Sequence, residues 1–134
     1  MWKKIIWVLP FVCFSAQASD WVSIPLRNPN KVVMMDATSV SISGSVRRAW
    51  LKFVMPPHST KGVGVYEGRF VSYVLMRTAF DCEQRNSRTD GAQWSYEDGT
   101  NSTTTPASLA EWTPVAPDSM ADALLGYVCA WKPT

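Results

Sequence analysis

Hydrophobic and polar positions alternate along most of the chain and change to a helical spacing near its end. Apolar residues recur at every second position over residues 46–54, a period that predicts a β-strand. The longest strand-like run, within residues 68–82, is largely apolar on both faces, as expected of a central strand. Shorter strand-like runs cover residues 21–26 and 32–35. Because the strands come first and one helix comes last, the pattern predicts an α+β domain. We expect an antiparallel sheet, with the C-terminal helix packed on one of its faces.

The predicted helix follows a start signal. Ser119 with Asp122 three residues later resembles a capping box, and Asp118 is an alternative cap. The apolar residues that follow share the spacing i, i+3, i+4, i+7 and i+8: Ala121, Leu124, Leu125, Val128 and Cys129. We expect this stripe to face the sheet and Asp122 and Lys132 to face solvent.

A turn signal follows the longest strand-like run. Residues 83–88 continue as a polar strand, Thr89-Asp90-Gly91 is typical of a hairpin turn, and residues 93–97 form the returning strand. Residues 98–106 are polar and typical of a loop. The sequence therefore predicts a hairpin that turns at residues 89–91.

The N-terminus has the parts of a secretory signal peptide. Lys3-Lys4 precedes an apolar stretch over residues 5–16, and Ala16-Gln17-Ala18 has the spacing of a cleavage site. The apolar stretch is shorter than the roughly 20 residues of a membrane-spanning helix. Cys13 lacks the small neighbours of a lipoprotein processing site. We therefore expect residues 1–18 to be a cleaved signal peptide, and the protein to be periplasmic, secreted or on the cell surface.

Cleavage would leave residues 19–134 as a single domain and would change its charge. The whole chain has 13 Lys and Arg against 11 Asp and Glu, and losing Lys3-Lys4 leaves 11 of each. A neutral domain lacks the basic character of a general nucleic-acid binder. Nucleic acid is therefore not expected as a partner.

Two cysteines remain after cleavage. Cys82 ends the longest strand-like run, and Cys129 lies near the end of the predicted helix. A Cys82–Cys129 disulfide would join the helix to the sheet, which is chemically sensible in an oxidising compartment. Closing a loop of this length contributes about 4 kcal/mol in the chain-entropy description.

Residues for catalysis or for a cofactor are few. His58 is the only histidine, and Ser59 beside it in a Pro- and Gly-containing loop lacks an identifiable third orienting group. A zinc site needs about four ligands, and both cysteines are better used in a disulfide. Residues 60–64 lack the spacing of a phosphate-binding loop. The sequence predicts no enzyme, no metal and no cofactor.

Aromatic and basic residues are the remaining candidates for binding. Alternation places Arg48, Trp50 and Lys52 on one face of the strand 46–54, where they suit acidic or aromatic groups of a partner. The alternative is that Trp50 packs under a neighbouring element with the basic head groups reaching outward. Trp94 is a second candidate for exposed contact, whereas we expect Trp21 and Trp112 to fill the core between helix and sheet.

A set of landmarks runs in order along nearly the whole predicted mature chain. They are Trp21, Val33-Met34-Met35-Asp36, Ser39, Ile42, Trp50, Asp81-Cys82, Arg85, Arg88, Tyr96-Glu97-Asp98-Gly99, Trp112, Val115, Pro117, Ser119 and Val128-Cys129. In this order they resemble the surface-adhesin protein E family of Gram-negative bacteria. The resemblance implies a six-stranded antiparallel sheet tied to a C-terminal helix by the disulfide. It also implies dimerisation and non-enzymatic binding of host proteins such as vitronectin and laminin.

Two functions are consistent with these observations. The first is an exported, adhesin-like binding module whose partner is a host matrix or serum protein or an envelope component, with a homodimer as a further expectation from the resemblance. The alternative is a periplasmic accessory protein that binds a partner protein or takes a small ligand in the crevice between helix and sheet.

Overall fold

A computed structural model describes residues 18–104 and 111–133, together with Val8 and Pro10. The predicted signal peptide therefore lies outside the described residues, except for Val8, Pro10 and Ala18. Within the described residues the chain forms nine strands, one 3₁₀ turn at Ala37–Ser39 and one α-helix. The elements are β1 (Trp21–Ser23), β2 (Val32–Asp36), β3 (Ser41–Ser43), β4 (Val46–Val54), β5 (Val65–Tyr66), β6 (Arg69–Asp81), β7 (Asn86–Tyr96), β8 (Asn101–Thr104), β9 (Thr113–Pro114) and α1 (Met120–Ala130).

Six strands form the continuous part of the sheet, in the order β1-β2-β4-β6-β7-β8, and every pairing is antiparallel. Three short strands attach at its margins: β3 to β4, β5 to β6 and β9 to β7. With α1 on one face of this sheet, the predicted α+β fold is confirmed.

The helix begins as the sequence predicts. The Ser119 Oγ accepts a hydrogen bond from the Asp122 backbone N–H at 3.2 Å, and the Asp122 carboxylate accepts one from the Asp118 N–H at 3.0 Å. These bonds satisfy backbone donors that have no partner within the helix. Leu124, Leu125 and Val128 are buried against the sheet, as expected, whereas Asp122 is only half-exposed because it pairs with Arg85.

The disulfide joins Cys82 to Cys129, as predicted, with Cα atoms 5.8 Å apart. Cys82 directly follows β6, and its N–H donates to the Ser45 carbonyl oxygen. A second tie lies at the same end of the helix, where Arg47 donates to the carbonyl oxygens of Val128 and Trp131. A guanidinium at the negative end of a helix is favourable. The last turn of α1 is therefore held to the sheet by two independent links.

The predicted hairpin turn at residues 89–91 is wrong. The chain turns earlier, where the Asp81 carboxylate accepts hydrogen bonds from the N–H groups of Glu83 and Gln84. These hydrogen bonds, the one from Gln84 foremost, lower the pKa of Asp81. β7 then runs through residues 89–91, and the register shift opposite Arg77 and Thr78 leaves Asp90 as an extra residue. The Asp-Gly pair is thus part of a β-bulge.

The polar segment expected as a loop contains a strand. Residues 97–100 form a tight turn in which Thr100 donates to the Asp98 carboxylate, and residues 101–104 pair with β7 as β8. Polar Ser and Thr residues suit this strand because β8 is at the edge of the sheet, which is exposed to solvent. Residues 105–106 of the predicted loop lie outside the described part of the chain.

Two hydrophobic clusters share the face of the sheet that carries α1. The helix cluster consists of Ile24, Val33, Met35, Ala49, Leu51, Phe80, Val115, Leu124, Leu125 and Val128. The loop cluster consists of Val71, Val74, Ala92, Trp94 and Tyr96, and it is covered by residues of the segment 55–66. Phe53 touches both clusters and lies between them. The covered face is therefore packed in two halves.

The expectation that Trp21 and Trp112 fill the core between helix and sheet is wrong. Trp21 is half-buried and lies opposite Asp36, on the other face of the sheet. Trp112 is 38% exposed, and the Arg88 guanidinium lies over its ring. Aliphatic residues, Met35 and Phe80 fill that core instead. The alternation along β1 directs Trp21 away from the helix, and Trp112 packs against the Arg88 guanidinium.

Candidate binding face

The other face of the sheet carries no helix among the described residues. Arg48, Trp50 and Lys52 of β4 point to it, because the intervening Ala49 and Leu51 belong to the helix cluster. Across the β4–β6 pairing, Trp50 lies opposite Arg77. Residues directly opposite each other share a face. The surface formed by Arg48, Trp50, Lys52, Arg77 and Arg88 is called the basic face below.

One carboxylate holds two of these basic side chains in place. Asp90 Oδ2 lies 3.3 Å from Arg48 Nε, and its Oδ1 lies 2.8 Å from Arg88 Nε. The row across the sheet is Arg48, Ala79 and Arg88, and the bulge directs Asp90 between the two arginines. Ala79 is fully buried beneath them although no helix covers it. The two guanidinium groups are therefore fixed above a small residue.

Lys52 lies between two aromatic rings. Its Nζ is 4.5 Å from the centroid of Tyr73 and 5.6 Å from that of Trp21. Cation–π contact of this kind holds an ammonium over apolar surface without a carboxylate partner. Lys52 is thereby a positioned positive charge rather than a freely rotating one.

Trp50 lies at a break in the neighbouring strands. β3 pairs with residues up to Arg48 and β2 with residues from Leu51, so the backbone of Trp50 faces the gap between them. The 3₁₀ turn fills that gap, and the Ser39 Oγ accepts the hydrogen bond from the Trp50 N–H at 2.9 Å. The indole is half-buried and the neighbouring Arg77 is exposed. No described helix covers Trp50, so its ring remains part of the surface.

Positive charge dominates the middle of the basic face. Asp90 is the only carboxylate there among the described residues. Two further aspartates lie at strand ends on this face and bind backbone groups. Partial burial on its own raises the pKa of Asp36, but hydrogen bonds from Thr38, Asp20 and Ser19 outweigh it, so the pKa lies below its ordinary value. Asp81 is held by the turn described above.

Trp94 is not part of this surface, and the expectation that it is exposed is wrong. It belongs to the loop cluster on the opposite face and is 8% exposed. Its ring stacks on Tyr66 with centroids 4.0 Å apart, and its Nε1 donates to the Thr104 Oγ1. Tyr66 comes from the distant β5, so no local pattern around Trp94 indicates this cover.

The remaining chemistry-bearing residues do not assemble a site. His58 Nε2 lies 3.4 Å from Glu97 Oε2, and its ring packs edge-on against Phe70. Within residues 18–104 and 111–133, no group of three or more His, Cys, Asp or Glu is placed to hold a metal ion. The single helix in this part of the chain is too short to span a membrane.

The sequence matches the family described as Surface-adhesin protein E over residues 21–130. Solved structures of Haemophilus influenzae protein E share the fold. One aligns with a TM-score of 0.57 at 16% identity, with 85% of this chain and 86% of that chain covered. A second crystal form gives 0.58 at 15% identity, with 85% and 90% covered. At these identities the likeness concerns the fold alone. No curated protein matches the sequence significantly.

Proposed function

The chain belongs to the surface-adhesin protein E family, and we propose that it is an exported, non-enzymatic binding module that takes a protein partner on the basic face. The observation that carries this proposal is the arrangement of Arg48, Trp50, Lys52 and Arg77 on the face without a helix. Tryptophan and arginine supply much of the binding energy at protein interfaces. Family membership supports the adhesin class, and the arrangement supports the location.

The partner segment should be acidic and aromatic. The basic face carries four basic side chains, and among the described residues Asp90 is the one carboxylate in its middle, where it pairs with Arg48 and Arg88. An acidic segment therefore finds attractive charge across the face. Trp50 and the rings beside Lys52 offer apolar and π surface between those charges. Each cation–π contact that a partner adds is worth about 0.5–2 kcal/mol. Host matrix or serum proteins are the proposed class of partner, with an envelope component as the alternative.

A matched pair of charge reversals tests the location. Arg77→Glu changes the exposed cation of the basic face, and Arg27→Glu makes the same change in the β1–β2 loop, where Arg27 forms an exposed pair with Asp118. Binding to immobilised vitronectin and laminin is measured for both variants and for Trp50→Ala. We expect Arg77→Glu and Trp50→Ala to weaken binding and Arg27→Glu to leave it unchanged. Equal binding by all three variants would overturn the basic face as the site.

Export and cleavage after Ala18 are a separate proposal, supported by the charged, apolar and small-residue parts of residues 1–18. The intact mass of the protein recovered after expression of the full chain tests it, since the proposed product begins at Ser19. Protease accessibility on whole cells, compared with osmotic-shock fractions, distinguishes surface from periplasm. A product that retains residues 1–18 would contradict the proposal.

A homodimer is a further proposal that rests on family membership alone. Sedimentation of the purified protein at several concentrations tests it directly. Sedimentation as a monomer at all concentrations would contradict it.

A further inference from the structure

A groove divides the covered face of the sheet. Phe53 packs against both the helix cluster and the loop cluster, and between the clusters lies an open cavity of about 780 Å³. One wall is the first turns of α1, and the other is the segment 55–63. This volume falls within the roughly 300–1,000 Å³ of small-molecule sites.

The floor of the groove is apolar and comes from the central strands. Leu51 and Phe53 of β4 and Met76 and Phe80 of β6 line it, with Thr78 between them. Met120 lies at the rim and is 39% exposed, although it is a large apolar residue. Phe53 and Met76 are half-buried, so together with Met120 they leave apolar surface exposed, whereas Leu51 and Phe80 are fully buried. Exposed apolar surface in a groove is the arrangement that an apolar ligand requires.

The charge of the groove has one sign. Lys31 and Lys61 line it, and no Asp or Glu does so among the described residues. Neither ammonium lies within ion-pair distance of a carboxylate in the described part of the chain. The adjacent small cleft contains Asp118 and Asp122. These two carboxylates pair with Arg27 and Arg85 respectively, so they do not supply a counter-charge for the groove.

We propose that the groove binds a single-chain amphiphile with an anionic head group, a fatty acid, with its chain on the apolar floor and its carboxylate near Lys31 and Lys61. An apolar floor with cations and no carboxylate matches both parts of such a ligand. The site lies on the face opposite the basic face, so it is independent of the proposed protein partner.

A comparison of head groups and chain lengths tests the ligand class. The protein is purified without detergent, delipidated, and titrated with oleate and with oleyl alcohol below their aggregation concentrations. Oleate should bind more tightly, since only it carries the charge. Saturated acids from 12 to 18 carbons should bind more tightly with length, by up to about fourfold for each methylene that becomes fully buried. Absence of oleate binding, or affinity independent of chain length, would overturn the proposal.

Two filling variants, one on the sheet and one on the helix wall, locate the ligand. Thr89 of β7 and Ala121 of α1 both line the groove and are half-buried. Thr89→Trp and Ala121→Phe place bulk where the chain would lie, and each should weaken oleate binding at least tenfold. The matched control is Thr103→Trp, since Thr103 is an exposed strand residue of β8 that does not line the groove. Unchanged binding in a folded Thr89→Trp or Ala121→Phe protein would contradict this site.

Charge reversal tests the head-group end. Lys31→Glu and Lys61→Glu should each weaken oleate about two- to fivefold, the range of an exposed ion pair, and should leave oleyl alcohol unaffected. Lys132→Glu is the control, because Lys132 is exposed and does not line the groove. Equal effects of all three reversals would show a general charge effect and overturn the assignment. Because these measurements use only lipid probes, they succeed or fail independently of the vitronectin and laminin assays.

Discussion

The two faces of the sheet are formed by the same strands but are ordered by different interactions. Along β4, Ala49 and Leu51 are buried under the helix while their neighbours Trp50 and Lys52 lie on the basic face. The covered face derives its stability from apolar packing and a disulfide, whereas the basic face is ordered by ion pairs, cation–π contacts and a bulge. Aromatic side chains therefore have different roles on the two faces: Trp94 packs inside the loop cluster, whereas Trp50 lies on the surface of the basic face.

The largest expected effect is loss of the link between the helix and the sheet. Cys129→Ser should lower the free energy of unfolding by about 4 kcal/mol, because it releases the loop between Cys82 and Cys129 in the unfolded chain. Chemical denaturation of wild type and variant measures this. The double variant Cys82→Ser/Cys129→Ser is the control for an unpaired thiol. A loss below 1 kcal/mol in the double variant would mean that packing and Arg47 alone hold the helix.

Adjacent positions of β4 compare the two faces directly. Leu51 is 0% exposed, and Leu51→Ala should cost about 2–5 kcal/mol through lost burial and the cavity left behind. Lys52→Ala on the other face should cost less than about 1 kcal/mol, since it removes cation–π contacts at a partly exposed site. Urea unfolding of both variants checks the contrast. Similar losses at the two positions would contradict the assignment of faces.

The helix, the disulfide and the alternation of β4 were predictable because local signals carry them. Ser119 and Asp122 form a cap within four residues, and the two cysteines outside the predicted signal peptide can pair in only one way. The hairpin was misplaced because Asp90-Gly91 resembles a turn, while the turn that forms depends on the Asp81 carboxylate. Both signals are short and polar, and only the pairing of β6 with β7 distinguishes them.

The features that could not be predicted depend on residues far apart in the chain. Trp94 of β7 is covered by Tyr66 of β5, which is far from β7 in the sequence. The groove is lined by the β1–β2 loop, four strands, the segment 55–63 and the start of α1, so no single window of sequence contains it. Of the predicted binding residues, Arg48, Trp50 and Lys52 lie together on the sheet because one strand carries all three.

Asp36 makes a pH-dependent contribution to the stability of the fold near the β1 edge of the sheet. Its carboxylate accepts hydrogen bonds from the N–H groups of Asp20 and Thr38, and these hold its pKa in the folded protein below the ordinary value. A lowered pKa stabilises the fold above the unfolded pKa, and this contribution disappears as the pH falls through the folded value. Asp36→Asn should therefore cost about 1–2 kcal/mol at pH 7, with the difference shrinking as the pH falls below about 4. A difference that stays constant from pH 7 to pH 3 would contradict this assignment.

The smallest expected effect on stability concerns Asp90, the carboxylate between Arg48 and Arg88. Both ion pairs are partly exposed, so Asp90→Asn should lower the free energy of unfolding by no more than about 1 kcal/mol, and less at high salt. Asp118→Asn, at the exposed pair with Arg27, is the control and should have no measurable effect.

Asp90→Asn also tests the functional contrast between the two faces. Among the described residues Asp90 is the one carboxylate in the middle of the basic face, so removing its charge should strengthen capture of an acidic partner, chiefly through faster association at low salt. If Asp90→Asn weakens capture instead, binding depends more on the positions of Arg48 and Arg88, which Asp90 fixes, than on the net charge of the basic face.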